Sequence, residues 1–275
     1  MKWLRRLLAT VLGVALTVTA IITVTDATTW NSAYLMATAD RTNLAQHISN
    51  ELPAVIASYA PAADTQAAIT NVLTPAYIET KINDVIPAFV TGFRHGGSVP
   101  NLDVTDLGQQ LALSGVPVPP ALAAITNSPQ PLMSSHLAAP LQTVGGVSGL
   151  LQWLAPLVAL AATVMLLLIS DHRRFLALAQ GVWLGSALTA LAAAVVQLPP
   201  SLIEATLNTS VARPLAAAIR AYSQAIATDQ SHQLLRYALI LAVVGVICIV
   251  AHVVAGLIAH LMHHAKTKSE SSPVD

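Results

Sequence analysis

The chain has 275 residues, of which 55% are apolar and only 9% charged, and its 13 Lys/Arg balance its 13 Asp/Glu. Ordinary soluble domains carry about 25% charged residues, so this composition argues against a soluble globular protein and for a lipid-facing surface. The single cysteine, Cys248, excludes an intrachain disulfide and any zinc site built from CxxC pairs.

The first predicted element is an apolar run over residues 7–25, preceded by Lys2, Arg5 and Arg6. It contains no Lys, Arg, Asp or Glu and is long enough to cross a bilayer as a helix. Basic residues before an apolar stretch, followed by Val18-Thr19-Ala20, also fit a cleaved signal peptide. The run continues through Ile21, Ile22 and Val24, which favours a retained span. Either way, residues 26–148 are expected outside the cytoplasm.

That segment reads as helices. Leu44, Ile48, Leu52, Val55, Ile56 and Tyr59 recur at three- and four-residue intervals, as do Ile69, Val72 and Leu73, then Ile78, Ile82, Val85, Ile86, Phe89 and Phe93. Asp64 can cap one helix start, and Thr74-Pro75 sets a capping hydroxyl before a proline whose missing N–H costs nothing at the first helical position. Arg94-His95-Gly96-Gly97 ends that helix, Leu102-Asp103-Val104 could be briefly extended, and Asp106 or Ser114 bounds short pieces. Six prolines follow between residues 115 and 140, namely Pro117, Pro119, Pro120, Pro129, Pro131 and Pro140, which predicts an irregular connection. Gly145-Gly146 is then expected to be the hinge into the membrane.

Further uncharged apolar runs cover residues 149–169, 175–196 and 237–262. Pro156 suggests a kink in the second span. In the third, Ala177, Gly181, Gly185, Thr189 and Ala193 recur every four residues, and Gly181 with Gly185 forms a GxxxG pair that permits close helix approach. Between the third and fourth runs, Leu198-Pro199-Pro200 opens a second loop that restarts as a helix with Ser201 and Glu204 in capping-box spacing, and the loop is expected to form one or two helices lying on the outer domain or the membrane surface. The predicted organisation is therefore 1–25 tail and first span, 26–148 outer domain, 149–196 second and third spans, 197–236 second outer loop, and 237–275 fourth span and tail. The fold class is an all-α membrane protein with four transmembrane helices and a mainly helical extracytoplasmic domain.

Charge sets the expected orientation. Seven of the 13 basic residues lie at three places, before the first span, at Arg173 and Arg174, and at Lys266 and Lys268 after the last. The positive-inside rule puts those places, and both termini, in the cytoplasm of a plasma-membrane protein. Trp3 then falls at the inner interface and Trp30, Trp153 and Tyr237 near outer ends, where amphipathic rings favour the headgroup level; Trp183, mid-span, is the exception. The outer domain is acidic: Asp26, Asp40, Glu51, Asp64, Glu79, Asp84, Asp103 and Asp106 face Arg41, Lys81 and Arg94. This argues against nucleic acid and anionic headgroups as partners of that surface and leaves a cation or a basic peptide as an option beside a plain solvated face.

Chemistry-bearing residues are few. Asp103 and Asp106 form a carboxylate pair whose ordinary role is turn and cap formation. His260, His263 and His264 share a helical face, with His172 in the inner connection, but no carboxylate or cysteine completes a ligand set. His252 lies inside the fourth run, where ionisable residues are functional candidates. Counting from the inner ends puts Thr17 and Ser186 at nearly its depth, so His252, Ser186 and Thr17 form a candidate intramembrane polar site, and Gly181 and Gly185 a packing site. HExxH, GxSxG and P-loop patterns are absent, so neither catalysis nor a cofactor or metal is expected.

The stretch ITNVLTPAYIETKINDVIPAFVTGFRHGGSVPNLDVTDL, residues 69–107, resembles the outer helical domain of uncharacterised bacterial multi-pass membrane proteins. The resemblance implies a bacterial envelope protein and brings no functional residues with it. The expected role is an envelope protein whose outer domain binds, scaffolds or regulates, with the bilayer and an envelope protein or a second copy as partners. A membrane subunit of an ABC system is the alternative, since the FtsX and MacB type shares four spans and a large first outer loop; a small transporter or channel is third.

Overall fold

A computed structural model describes residues 2–57, 63–94, 101–113, 115, 118, 120–128, 130–131, 135–169, 174–197 and 213–270. Helix accounts for 92% of the described residues, so the helical periods of the sequence carry nearly all of the architecture. The helices are α1 (Lys2–Ala27), α2 (Ser32–Arg41), α3 (Leu44–Ala57), α4 (Ala63–Val72), α5 (Pro75–Arg94), α6 (Thr105–Leu113), α7 (Pro120–Thr126), α8 (Ser135–Ile169), α9 (Arg174–Val196) and α10 (Arg213–Glu270). Four of them contain stretches long and apolar enough to cross a membrane: Lys2–Ala27, Gln142–Ile169, Arg174–Val196 and Leu215–Ile258.

The chain divides into two compact units. One, the apolar bundle, comprises Met1–Val24, Leu151–Val196 and Ser231–Asp275; the other, the helical domain, comprises Thr25–Leu150 and Gln197–Gln230. In the bundle, α1 and α9 are each 44% buried over their apolar windows, against 11% for α10, so the α1–α9 pair forms its centre. Leu12, Ala15, Ala159, Ala162, Leu166, Ala177, Leu178 and Val182 make the main cluster there, and Val24, Ala193 and Leu234 a second one. Threonines inside these helices donate to the carbonyl four residues earlier, Thr19 to Ala15, Thr163 to Ala159 and Thr189 to Gly185, each at 2.8 Å. That bond hides a hydroxyl from hydrocarbon without a partner helix.

The helical domain follows the spacing read above. Ala68, Ile69, Leu73, Ile78, Leu107 and Leu111 form its core, with Ile48, Leu52, Val72 and Ile82 packed against them. Thr74 Oγ1 accepts from the Tyr77 N–H at 3.3 Å at the start of α5, as the Thr74-Pro75 pair predicts. Asp64 falls within the first turn of α4. Asp103 forms the turn into α6, where its carboxylate accepts from the backbone N–H and hydroxyl of Thr105 at 3.0 and 2.7 Å, and these bonds hold its pKa below the usual value. The extended residues are Asn101 and Leu102, which pair antiparallel with Pro131 and Gln130.

Three local expectations are corrected. Gly145-Gly146 is no hinge, because α8 runs unbroken from Ser135 through Pro140, both glycines and Pro156. Gly145 instead permits contact: a Cβ there would collide with the carbonyl of Phe93. The helix expected in the second loop is not separate from the fourth span, since α10 begins at Arg213 and continues into the fourth apolar run. Its early turns are helical because Ala218 and Tyr222 pack on Ala39, Leu44, Ile82 and Ile86 of the domain. The Ser201–Glu204 capping box lies outside the described residues, as do His172 and the Gly96-Gly97 turn. Trp30, thirdly, is 5% exposed; it is a buried residue of the domain, whereas Trp3 and Trp153 are exposed.

Candidate functional site

In the bundle, Ala177, Gly181, Gly185, Thr189 and Ala193 are all buried. A Cβ on Gly181 would lie 2.8 Å from the Ala9 carbonyl oxygen, one on Gly13 would lie 2.8 Å from the Gly181 oxygen, and one on Gly185 would lie 3.1 Å from the Gly13 oxygen. The two backbones therefore touch through three glycines, which no larger residue allows without moving a helix. Thr17 joins this seam. Its hydroxyl reaches the carbonyls of Gly13 at 2.9 Å and Gly185 at 3.2 Å.

The other intramembrane candidates do not meet as expected. Ser186 donates to the Ala238 carbonyl of α10 at 2.8 Å, and Ala238 precedes His252 by fourteen residues, about 21 Å along a helix. Thr17 and Ser186 are thus committed to backbone carbonyls, and neither lies level with His252. Counting depth from the ends of the apolar runs fails because α10 is offset along its axis against α9. His252 sits one turn beyond Cys248, which packs on the main cluster of the bundle. Its Nδ1 is buried and has no hydrogen-bond partner among the described residues. The side chains of His260, His263 and His264 lie outside the described residues. Trp183 has a structural account: its indole lies on Gly245 of α10, where a Cβ would come 2.6 Å from Cδ1.

The helical domain carries more chemistry. Asp229 of α10 accepts from the Tyr34 hydroxyl at 2.8 Å and pairs with Arg41 at 2.7 Å. Burial and the Asp229 bond raise the Tyr34 pKa. The next residue, Gln230, donates through Nε2 to the hydroxyls of Thr28 and Thr29 at 2.9 and 2.7 Å, and the Tyr222 hydroxyl donates to the Leu35 carbonyl at 3.2 Å. Asp26 faces Arg94 at 3.3 Å, yet neither buried carboxylate oxygen receives an aligned hydrogen bond, so the contact is a charge pair only. Arg94 also reaches the Trp30 carbonyl at 3.5 Å. Asp103 and Asp106 do not act as a pair: Asp106 accepts from Tyr77 at 3.0 Å and from Lys81 at 2.9 Å.

A groove of about 320 Å³ opens between α2, the start of α3 and the start of α5, lined by Ala39, Asp40, Asn43, Leu44, Ala45, Gln46, Pro75, Glu79 and Ile82. Its corner is the α2–α3 turn, where Asn43 takes the left-handed conformation with φ 50°, which asparagine tolerates better than most residues. The sequence showed the acidic surplus but not this groove. Asp40 and Glu79 lie on different helices, and nothing in their spacing announces that they share a cavity. Among the described residues, no group of three His, Cys, Asp or Glu could hold a metal ion.

Comparison with protein-family models, with curated proteins and with solved structures gives no match.

Proposed function

We propose that the chain is a multi-pass envelope protein whose four apolar helices anchor a helical extracytoplasmic domain, with both termini cytoplasmic, and that this domain serves binding, scaffolding or regulation rather than catalysis. The observation that carries the reading is that residues 25–150 and 197–230 build a compact unit with its own apolar core and a groove, while Thr17 and Ser186 inside the bundle are committed to carbonyls of neighbouring helices. The clustering of seven basic residues at the three proposed inner positions supports the orientation.

Cysteine labelling in intact cells tests it. In a Cys248→Ala background, Asp84→Cys, on the exposed face of α5, is expected to react with an impermeant thiol reagent and Asp171→Cys is not. The reverse pattern overturns the orientation. Copurification of the full chain from membranes then reads the partner directly.

A further inference from the structure

The geometry points to the groove between α2, α3 and α5 as a binding site for a primary ammonium group carried on an aliphatic body. The inference rests on the binding role proposed above and names its ligand class. Two carboxylates, Asp40 from the end of α2 and Glu79 from the first turns of α5, line the cavity, and no basic side chain does. The nearest cations in sequence are already used. Arg41 is held by Asp229 at 2.7 Å and Lys81 by Asp106 at 2.9 Å, and Lys81 also lies over the Tyr77 ring. Among the described residues, no Lys or Arg forms an ion pair with Asp40 or Glu79. A cation entering the groove therefore meets charge that the fold leaves uncompensated.

The remaining lining selects the kind of cation. Ala39 and Leu44 are buried and Ile82 half-buried, and all three belong to the cluster that continues to Ala218 and Tyr222. This gives an apolar wall. Gln46 donates its Nε2 to Asn50 at 3.0 Å, which leaves its carbonyl oxygen as an acceptor, and Asn43 is a second amide residue of the lining. These are acceptors for N–H donors. A quaternary ammonium group has no N–H and is recognised by aromatic faces, whereas no aromatic residue lines this groove. A bare divalent ion needs six or more oxygens at about 2.0–2.6 Å, a poor match for two carboxylates across about 320 Å³. That volume is at the small end of ligand pockets, roughly 300–1,000 Å³, and suits a chain of a few methylenes ending in an ammonium. A free diamine and a lysine side chain share this chemistry.

The test uses the purified full chain in detergent, with 1,5-diaminopentane and Nα-acetyl-lysine amide as probes in titration calorimetry at low salt. Saturable binding of either is expected, weakened at least tenfold in Asp40→Asn and in Glu79→Gln, with tetramethylammonium unable to compete. Both side chains are exposed, so a matching melting temperature shows that the variants fold. Binding of the diamine alone assigns a small-molecule source, and binding of the lysine amide assigns a peptide source. No saturable binding, unchanged affinity in both variants, or equal competition by tetramethylammonium overturns the inference. None of these results depends on which side of the membrane the groove faces, so the labelling outcome at Asp84 and Asp171 stands or falls separately.

Discussion

In the apolar bundle, α1 and α9 meet where side chains are smallest, through Gly13, Gly181 and Gly185, and hydroxyls are set on carbonyls of neighbouring helices. In the helical domain they meet through Ile69, Leu73, Ile78 and Leu111 and through tyrosine and arginine contacts to aspartate. The contrast follows from the solvent each unit is built for. Water drives large apolar groups together, and burying one contributes about 1.5–3 kcal/mol. Hydrocarbon supplies no such drive, so helices gain from close backbone contact and from interhelical hydrogen bonds. The helix α10 contributes to both units and changes its means of packing along its length. From Ala218 to Gln230 it offers an apolar contact, a tyrosine, a carboxylate and an amide, whereas from Ser231 onward it offers the Ala238 carbonyl and Gly245 beside apolar contacts such as Leu234.

The largest effect is expected where the domain depends on bulk. Phe93 is fully buried and its ring stands 4.6 Å from that of Phe89. Phe93→Ala should cost about 3–5 kcal/mol, the usual range for emptying such a site, seen as a lower thermal midpoint for the domain in circular dichroism. A loss under about 1 kcal/mol would mean that the core collapses around the gap, and the domain would not depend on large side chains as the comparison holds.

In the bundle the sign of the size effect is opposite. Gly181→Leu forces a side chain toward the Ala9 carbonyl, already 2.8 Å from where a Cβ would stand, and backbone cannot rotate away as a side chain can. Overpacking of this kind costs about 1–3 kcal/mol. Ala187→Leu, on the exposed face of the same helix, should be silent. Equal tolerance of both substitutions in detergent melts would remove the glycine seam from the account.

A smaller effect separates the units by pH. Burial, the hydrogen bond to Asp106 and the charge of Asp106 and Asp103 push the Tyr77 pKa well above its ordinary 10.0. Above pH 10 the unfolded chain releases this proton while the folded domain keeps it. The contribution is thus whole below that pH and is lost as pH rises toward the folded pKa. Domain stability should decline across the alkaline range, and Tyr77→Phe should flatten the decline. An unchanged slope in the variant would assign the decline to other groups.

How much of this was legible in the sequence depends on which physical rule governs each residue. The three- and four-residue spacing around Ile69, Ile78 and Phe93 reports burial directly, and Thr74-Pro75 acts through local backbone geometry, so both could be read. Gly145 could not be, since a glycine looks the same whether it breaks a helix or lets Phe93 approach. The continuity of α10 from the second loop into the fourth apolar run is hidden for a related reason: Asp229 and Gln230 look like residues between two helices until Tyr34, Arg41, Thr28 and Thr29 are beside them. The pairing of Asn101 and Leu102 with residues nearly thirty positions away, and the cavity shared by Asp40 and Glu79, are long-range facts with no local signature. Hydropathy locates apolar runs but says nothing about how far one helix slides along another.

That slide makes the smallest prediction the most specific. Ser186 is level with Ala238, not His252, so its hydroxyl and the imidazole are independent groups. Ser186→Ala should cost about 0.6 kcal/mol, the typical worth of an intramembrane hydrogen bond. His252→Ala releases no partner, because Nδ1 makes no hydrogen bond among the described residues, and should cost less. The double variant should then equal the sum of the singles, as sites well apart do within about 0.3–0.5 kcal/mol. Thr17→Ala combined with His252→Ala should also be additive, since Thr17 bonds to Gly13 and Gly185. A coupling above about 1 kcal/mol in either cycle would put His252 back beside a hydroxyl at mid-bundle and would contradict the offset of α10 against α9.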